Sequence, residues 1–300
     1  MYTIPPKKMV IINILDILKK YSDMDHRLTQ AQIIEILKKE YYMDVDRRTV
    51  KRNLMNLLDF DFGIDYTEII KKNEKGEEIP ICTDWYITRE FDDSEIRLLI
   101  DSVLFSKTIP QKQCKKLIDK LKGLSNIYFE KKVNHICSLP EIRPENKELF
   151  YTIDVLDEAI SKGKKVSFIY NSYGTDKKLH PKREREYVIN PYQMVATNGR
   201  YYLICNYDKY DTLSNYRIDR ITGIKMMNEK RKSIKELKEG EINLPKHMAE
   251  HLYMFAGESI RVKFKAKNYI IDQIIDWFGF GPKITKQDED TCMVEVEVNE

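Results

Sequence analysis

The run NGRYYLICNYDKYDTLSNYRIDRI, residues 198–221, decides how the middle of this chain folds. Asn198 and Gly199 form a strong two-residue turn signal, because a tight hairpin turn needs positive φ and these two residue types tolerate it. With YVINPYQMVAT before the turn and RYYLICNY after it, the stretch predicts a β-hairpin. Period two sends Tyr201 and Leu203 to one face, Tyr202 and Ile204 to the other. In YRIDRI the same rule gives Arg217 and Asp219 one face, and Tyr216, Ile218 and Arg220 the other. A small β domain cannot bury an unpaired arginine cheaply. These arginines must therefore pair with Asp219 or similar groups, or await an anionic ligand, and spacing alone leaves both open.

Around the hairpin, residues 151–231 read as a small β domain. A helix from Thr152 to Lys162 leads into the strand KKVSFIY, where Ser167 and Ile169 face one way and Val166, Phe168 and Tyr170 the other. From there to about Met227, short strands are broken at Gly174, Pro181, Pro191 and Gly199.

Residues 1–90 read differently. A helix from about Lys7 to Tyr21 places Val10, Ile11, Ile14, Leu15 and Leu18 on one stripe. A second starts at the capping residue Thr29, with Ile33, Ile34 and Leu37 inward. A third starts at Asp46 and runs to about Phe60, followed by a hairpin whose polar turn spans residues 74–77. Three helices and a hairpin are the order of a winged helix-turn-helix. On the third helix Val50, Leu54, Leu57 and Leu58 share one face. Opposite stand Arg48, Arg52 and Asn56, with Thr49 beside them and Arg47 and Lys51 flanking. Arginine and asparagine can hydrogen-bond base edges in the major groove while flanking cations meet phosphates. Lys71, Lys72 and Lys75 near the hairpin tip suit phosphate or minor-groove contact.

Residues 91–150 predict a helical linker: DDSEIRLLIDSVLFSKTI, capped near Asp93 or Ser94, then PQKQCKKLIDKLKGL opened by Pro110. Residues 130–150 are mixed, with Pro140 and Pro144 marking a joint. Residues 232–256 return to helix. The tail then alternates strand SIRVKFKA, helix NYIIDQIIDWFG and strand TCMVEVEV, and the sequence stops directly after that second strand.

With 42% hydrophobic and 33% charged residues over 300 positions, the chain predicts two or three globular domains. Its net charge of +3, and eleven Lys/Arg against eight Asp/Glu in residues 1–60, make any DNA binding a matter of local placement. Cys82, Cys114, Cys137, Cys205 and Cys292 are scattered, which predicts free thiols in a reducing cytosol. Lysines interrupt the first apolar stretch, so neither a signal peptide nor a membrane span is expected, and the expected location is cytoplasmic. His247 and His251 are four apart on a predicted helix, but no Glu follows the first and no third ligand is evident, so no metal is expected. Asp92–Asp93 and Asp288–Asp290 look like a cap and a loop rather than acid–base pairs. No nucleophile-and-base constellation, P-loop or dinucleotide motif is present; no cofactor and no enzymatic activity are expected.

GRYYLICNYD, followed downstream by YRIDRI, resembles the WYL-domain family of bacterial transcription factors. So does the order winged helix, WYL domain, C-terminal extension. The tripeptide that names the family corresponds to Tyr201, Tyr202 and Leu203, with tyrosine where tryptophan is usual; VINPYQMV and FGFGPKI also resemble family segments. The resemblance implies an Sm-like β-barrel that senses an anionic ligand, in some members a nucleotide or nucleic acid, and it implies dimerisation. The ligand-contacting positions it implies are Ser167, Tyr170, Tyr202, Arg217 and Arg220, with Arg200 beside them. Family members usually add a further strand and helix at the end, so an incomplete or differently completed extension is expected.

The expected fold class is thus α+β and multidomain: an N-terminal winged helix-turn-helix (1–90), a helical linker (91–150), an Sm-like small β-barrel of WYL type (151–231), and a helical connection with a C-terminal α/β extension (232–300). The expected function is a homodimeric, ligand-responsive regulator of transcription, with double-stranded DNA and an anionic or nucleic-acid-like effector as partners. The alternative is an accessory nucleic-acid-binding protein whose barrel holds single strands.

Overall fold

The computed structural model of the chain describes residues 7–72, 76–133, 146–237 and 259–299. The chain divides into two compact units, Met1–Leu104 with Lys112–Pro140, and Phe105–Gln111 with Glu141–Glu300.

In the first unit, helix α1 (Val10–Tyr21) buries Val10, Ile14, Ile17 and Leu18, with Ile11 and Leu15 at the margin. Helix α2 (Gln30–Tyr41) starts at Thr29 with a reciprocal cap. The Thr29 hydroxyl accepts from Gln32 N–H, and the Gln32 side chain accepts from Thr29 N–H at 2.8 Å. Helix α3 (Arg47–Asp59) is capped by Asp46, which accepts from Thr49 N–H at 2.9 Å, and it buries Val50, Leu54 and Leu57 while Leu58 is partly buried. Strands β1 (Ile64–Lys72) and β2 (Glu78–Ile87) then form an antiparallel hairpin. Leu28, between α1 and α2, bridges to Trp85, each N–H donating to the other's carbonyl at 2.8 Å. The bridge draws the hairpin onto the three helices, and Trp85 is fully buried there. The expected helix–helix–helix–hairpin order is what the residues form.

Three further helices complete this unit: α4 (Asp93–Phe105), α5 (Gln111–Lys122) and α6 (Ile127–Val133). The cap of α4 is Asp92, not Asp93 or Ser94. Its carboxylate accepts from Ser94 and Glu95 N–H, and Glu95 accepts from Asp92 N–H in return. Helix α6 was not expected, because seven residues span too few turns to carry a readable period. Its signal is Asn126, whose side chain accepts from Tyr128 and Phe129 N–H. Ile96, Ile100, Phe129 and Val133 form the small core these helices share.

In the second unit, helix α7 (Leu149–Lys162) starts three residues before the expected Thr152 and ends at Gly163 in the left-handed region. It packs Leu149, Leu156 and Ala159 on a curled sheet. The strands are β3 (Lys164–Tyr173), β4 (Leu179–Pro181), β5 (Tyr187–Thr197), β6 (Arg200–Asn206), β7 (Leu213–Arg217) and β8 (Ile221–Lys230). Order β4-β3-β5-β6-β7, with β8 also on β3, leaves an open half-barrel among the described residues rather than a closed barrel. Bulges in the β3–β8 and β5–β6 ladders bend it. The hairpin turn is as expected, with Asn198 at φ 52° and Gly199 at φ 71°.

The tail differs from its expected strand–helix–strand order. Strand β9 (Ser259–Lys267), helix α8 (Ile271–Phe278), and strands β10 (Lys283–Lys286) and β11 (Thr291–Asn299) form an antiparallel sheet of order β10-β11-β9 under one short helix. The four-residue strand β10, sequence KITK, is too short and too charged to announce itself. Of the helix expected over 232–256, only a 3-10 turn at Ile234–Glu236 lies among the described residues, and His247 and His251 lie outside them. No helix among the described residues is long and apolar enough to cross a membrane.

Removing the Thr29 hydroxyl strands the N-terminal amides of α2. Thr29→Ala is expected to destabilise the first unit by about 1 kcal/mol and Leu54→Ala, in the core of α3, by about 3 kcal/mol. Urea unfolding followed by Trp85 fluorescence in a Trp277→Phe background measures both, since Trp85 is fully buried and Trp277 is exposed.

Candidate ligand and nucleic-acid sites

The arginine-bearing run does not continue as a strand. β7 ends at Arg217, and Ile218–Arg220 is a 3-10 turn, so the expected alternation of Arg217 and Asp219 against Ile218 and Arg220 fails. The pairing it anticipated still forms, through the turn. Arg217 donates from Nε to Asp219 at 3.0 Å and from a terminal nitrogen at 2.6 Å, a two-pronged bond to a carboxylate that is only 1% exposed.

Two buried asparagines hold the turn in place, and sequence reasoning missed both. Asn146 donates to the carbonyls of Asp219 at 3.1 Å and Ile221 at 2.7 Å, and accepts from Glu148 N–H ahead of α7. Asn171, on β3, donates to the Arg220 carbonyl and to Thr222 Oγ1, both at 2.9 Å. Neither carries a sequence signal, since each acts by reaching a backbone distant in the chain.

Arg217 lies directly opposite Tyr202 in the β6–β7 ladder, so the two side chains share a face. Arg200 is two residues before Tyr202 and shares that face as well. Tyr170, on β3, packs its ring against Tyr216 and Tyr187, and its hydroxyl accepts from Arg217 N–H at 3.4 Å. Arg220 follows on the turn, its guanidinium 5.8 Å from the Tyr173 ring centre. Five of the six expected ligand positions thus converge. Ser167 is buried on β3, paired with Val188 of β5 and Lys225 of β8, beside a bulge that separates it from Ile169.

The charges in this cluster are unequally answered. Burial works against the Arg217 cation, but the Asp219 oxygens outweigh it and its pKa ends above the ordinary arginine value. Arg220 Nε is buried with no hydrogen-bond partner, and neither Arg220 nor Arg200 has an ion pair among the described residues. Burial raises the Tyr202 phenol, while the charges of Arg217, Arg200 and Arg220 all act on it in the opposite sense. Burial likewise raises Tyr170, against the Arg217 amide and the charges of Arg220 and Arg217.

A further arginine, Arg183, also meets this tyrosine cluster. Its guanidinium lies 3.3 Å from the Tyr187 ring centre and donates to the Tyr207 hydroxyl at 3.3 Å. Tyr207, raised to about 12 chiefly by burial, shares a 3.0 Å hydrogen bond with Tyr216. An open groove of about 510 Å³ beside Arg183 is lined by Ile169, Pro181, Lys182 and Glu184. None of Arg217, Arg220, Tyr170 or Tyr202 lines that groove.

In the first unit, Arg48, Lys51, Arg52 and Asn56 are exposed on α3, and their side chains have no hydrogen bond or ion pair among the described residues. Arg47 is exposed but donates to Gln30 Oε1 at 3.1 Å, and the Thr49 hydroxyl donates to Asp46 at 2.8 Å. Those two are partly committed to the fold. Lys71 and Lys72 are exposed at the end of β1, and Lys75 lies outside the described residues.

No curated protein matches the chain. Among solved structures, proteasome accessory factor B/C (PafBC) of Arthrobacter aurescens aligns with 99% of this chain and 46% of its own, at 11% identity and a TM-score of 0.31. The chain thus spans about half the length of that structure, and a likeness this low carries no argument. The half-barrel and its arginine cluster fall where a family model does match: residues 151–226 are similar to the WYL domain.

Proposed function

We propose that this protein is a DNA-binding regulator of transcription that responds to an anionic effector, and that it is not an enzyme. One observation carries the reading. Of two arginines on one pinned turn, Arg217 is matched by Asp219, while Arg220 is left with a buried, unpartnered Nε. A buried donor without an acceptor costs free energy, and an arriving phosphate or carboxylate oxygen would remove that cost. Arg200 adds a second unanswered cation, and Tyr202 and Tyr170 add hydroxyls. The effector is then a phosphate- or carboxylate-bearing molecule held on an open surface.

In this reading the first unit is a winged helix-turn-helix. Helix α3 enters the major groove, Arg48, Arg52 and Asn56 face base edges, and Lys51, Lys71 and Lys72 face phosphates. The exposed, unpaired state of that helix face supports it. The half-barrel belongs to an Sm-like WYL domain. The regulator is cytoplasmic and acts as a homodimer, and effector occupancy changes how its two heads address their half-sites. A second reading draws on the Arg220–Tyr173 neighbourhood: an exposed aromatic beside a cation can also stack a base, so the half-barrel would hold single strands as its working surface.

Duplex binding separates these readings. Arg48→Ala with Arg52→Ala is expected to lower affinity for duplex DNA at least about tenfold and to erase preference among genomic fragments in gel shift. Unchanged affinity and preference would contradict the head assignment, and duplex binding that is lost only with Arg200 and Arg220 would favour the second reading.

The two turn arginines should also separate. Arg217→Ala leaves Asp219 buried without its cation and is expected to destabilise the second unit by about 3 kcal/mol. Arg220→Ala is expected to change stability by less than about 1 kcal/mol while abolishing binding of a 5′-phosphorylated oligonucleotide. Thermal unfolding and fluorescence anisotropy on the same samples read the two effects. Equal destabilisation by both changes would contradict the division of roles.

A further inference from the structure

Strand β7 stops at Arg217, opposite Tyr202, so the first residues of β6 have no β7 partner. In a two-residue hairpin closed by Thr197 and Arg200, residues 200, 202 and 204 turn their backbone groups toward β5. Residues 199 and 201 therefore point toward the side that β7 vacates. A segment from far earlier in the sequence fills it. Lys107 N–H donates to the Gly199 carbonyl at 2.5 Å, and Tyr201 N–H donates to Thr108 Oγ1 at 3.0 Å. Thr108 is 3% exposed, and Ile109 packs against the core that holds Phe168 and Leu203. Gly199 is required twice over. Its φ is 71°, and a Cβ there would sit 2.8 Å from the Phe105 carbonyl oxygen.

This segment, Phe105–Gln111, belongs to the second unit although α4 leads into it and α5 leads out of it. Those helices share a core with α6, and α6 is fastened within the first unit to the loop between α1 and α2. Asn126 donates to Asp23 at 2.5 Å, and the His26 and Tyr128 rings stack at 3.6 Å, 8° from parallel. The segment that is hydrogen-bonded to the edge carrying Arg200 and Tyr202 is thus covalently continuous with α4 and α5.

We propose that Phe105–Gln111 is a strap that completes the arginine site, with Thr108 as its positioning residue, and that it relays occupancy of the site to α4 and α5. This rests on the ligand-site reading above and adds how that site is regulated. An anion drawing Arg200 toward Arg220 tilts the start of β6. The strap is hydrogen-bonded to that start on two successive residues, so it moves with it, and its ends are the ends of two helices.

Hydrogen–deuterium exchange on the full chain tests the strap without any effector. Thr108→Val keeps the shape but removes the acceptor; it is expected to speed exchange at Tyr201 about tenfold and to speed it severalfold in the last turn of α4 and the first of α5. Thr108→Ser, which keeps the hydroxyl, is expected to restore the wild-type pattern, and Gly199→Ala to reproduce the valine pattern. A packing role predicts the reverse, with valine harmless and serine defective. No change at Tyr201 overturns the positioning role, and a change confined to residues 198–202 overturns the relay. Binding of a 5′-phosphorylated oligonucleotide to Arg220→Ala keeps the two claims apart. Retained binding there, with loosened helices in Thr108→Val, would sink the site assignment and leave only the coupling of β6 to α4 and α5 standing.

Discussion

Asp219 is almost completely withdrawn from solvent, and Arg217 answers it with two hydrogen bonds. A carboxylate so placed is tolerable only while that cation stays in position. The pair therefore fixes where β7 ends, how the 3-10 turn runs, and where Arg220 emerges from it. Asn146 and Asn171 clamp the same turn from α7's leading edge and from β3, donating to the backbone carbonyls of Asp219, Ile221 and Arg220. The arginine surface is thus built on a satisfied ion pair and presents an unsatisfied donor. Satisfied groups hold it in place, and the remaining one is the group on which the proposed binding rests.

The open half-barrel leaves the start of β6 without a β7 partner. A closed sheet would spend the edges of β6 and β7 on each other's neighbours, whereas here β7 stops short and a strap from the α4–α5 connection takes its place. The same geometry gives the tyrosines their two roles. Tyr187, Tyr207 and Tyr216 pack inward, with Arg183 over them, while Tyr170 and Tyr202 bring hydroxyls to the arginines.

Periodicity carried most of the fold. The stripes on α1, α2 and α3, the Thr29 and Asp46 caps, the Asn198–Gly199 turn and the two faces of β6 were all legible, because each follows from contacts a few residues apart. Elements shorter than two turns or five residues, α6 and β10, were not, since so few residues cannot establish a period. The alternation assumed through YRIDRI broke at Ile218, where tertiary hydrogen bonds from Asn146 and Asn171 impose a turn on a sequence with good strand propensity. The site was half legible. Tyr202, Arg200 and Arg217 follow from register, and Arg220 and Tyr170 join them. Ser167 came with the family pattern and lies on β3 opposite Val188 and Lys225. Asn146, Asn171, Thr108 and Arg183 were invisible because their partners lie many residues away, or because a basic run after Pro181 reads as ordinary solvated charge.

Arginine Nε–H nuclear magnetic resonance observes directly the difference between the two guanidinium groups. In the full chain, the Arg217 Nε–H signal is expected to be protected from solvent exchange and unmoved as a 5′-phosphorylated oligonucleotide is added. The Arg220 signal is expected to start at a shift typical of an unbonded donor and to move on addition. An Arg220 signal that begins bonded, or that stays fixed at saturation, would contradict the account.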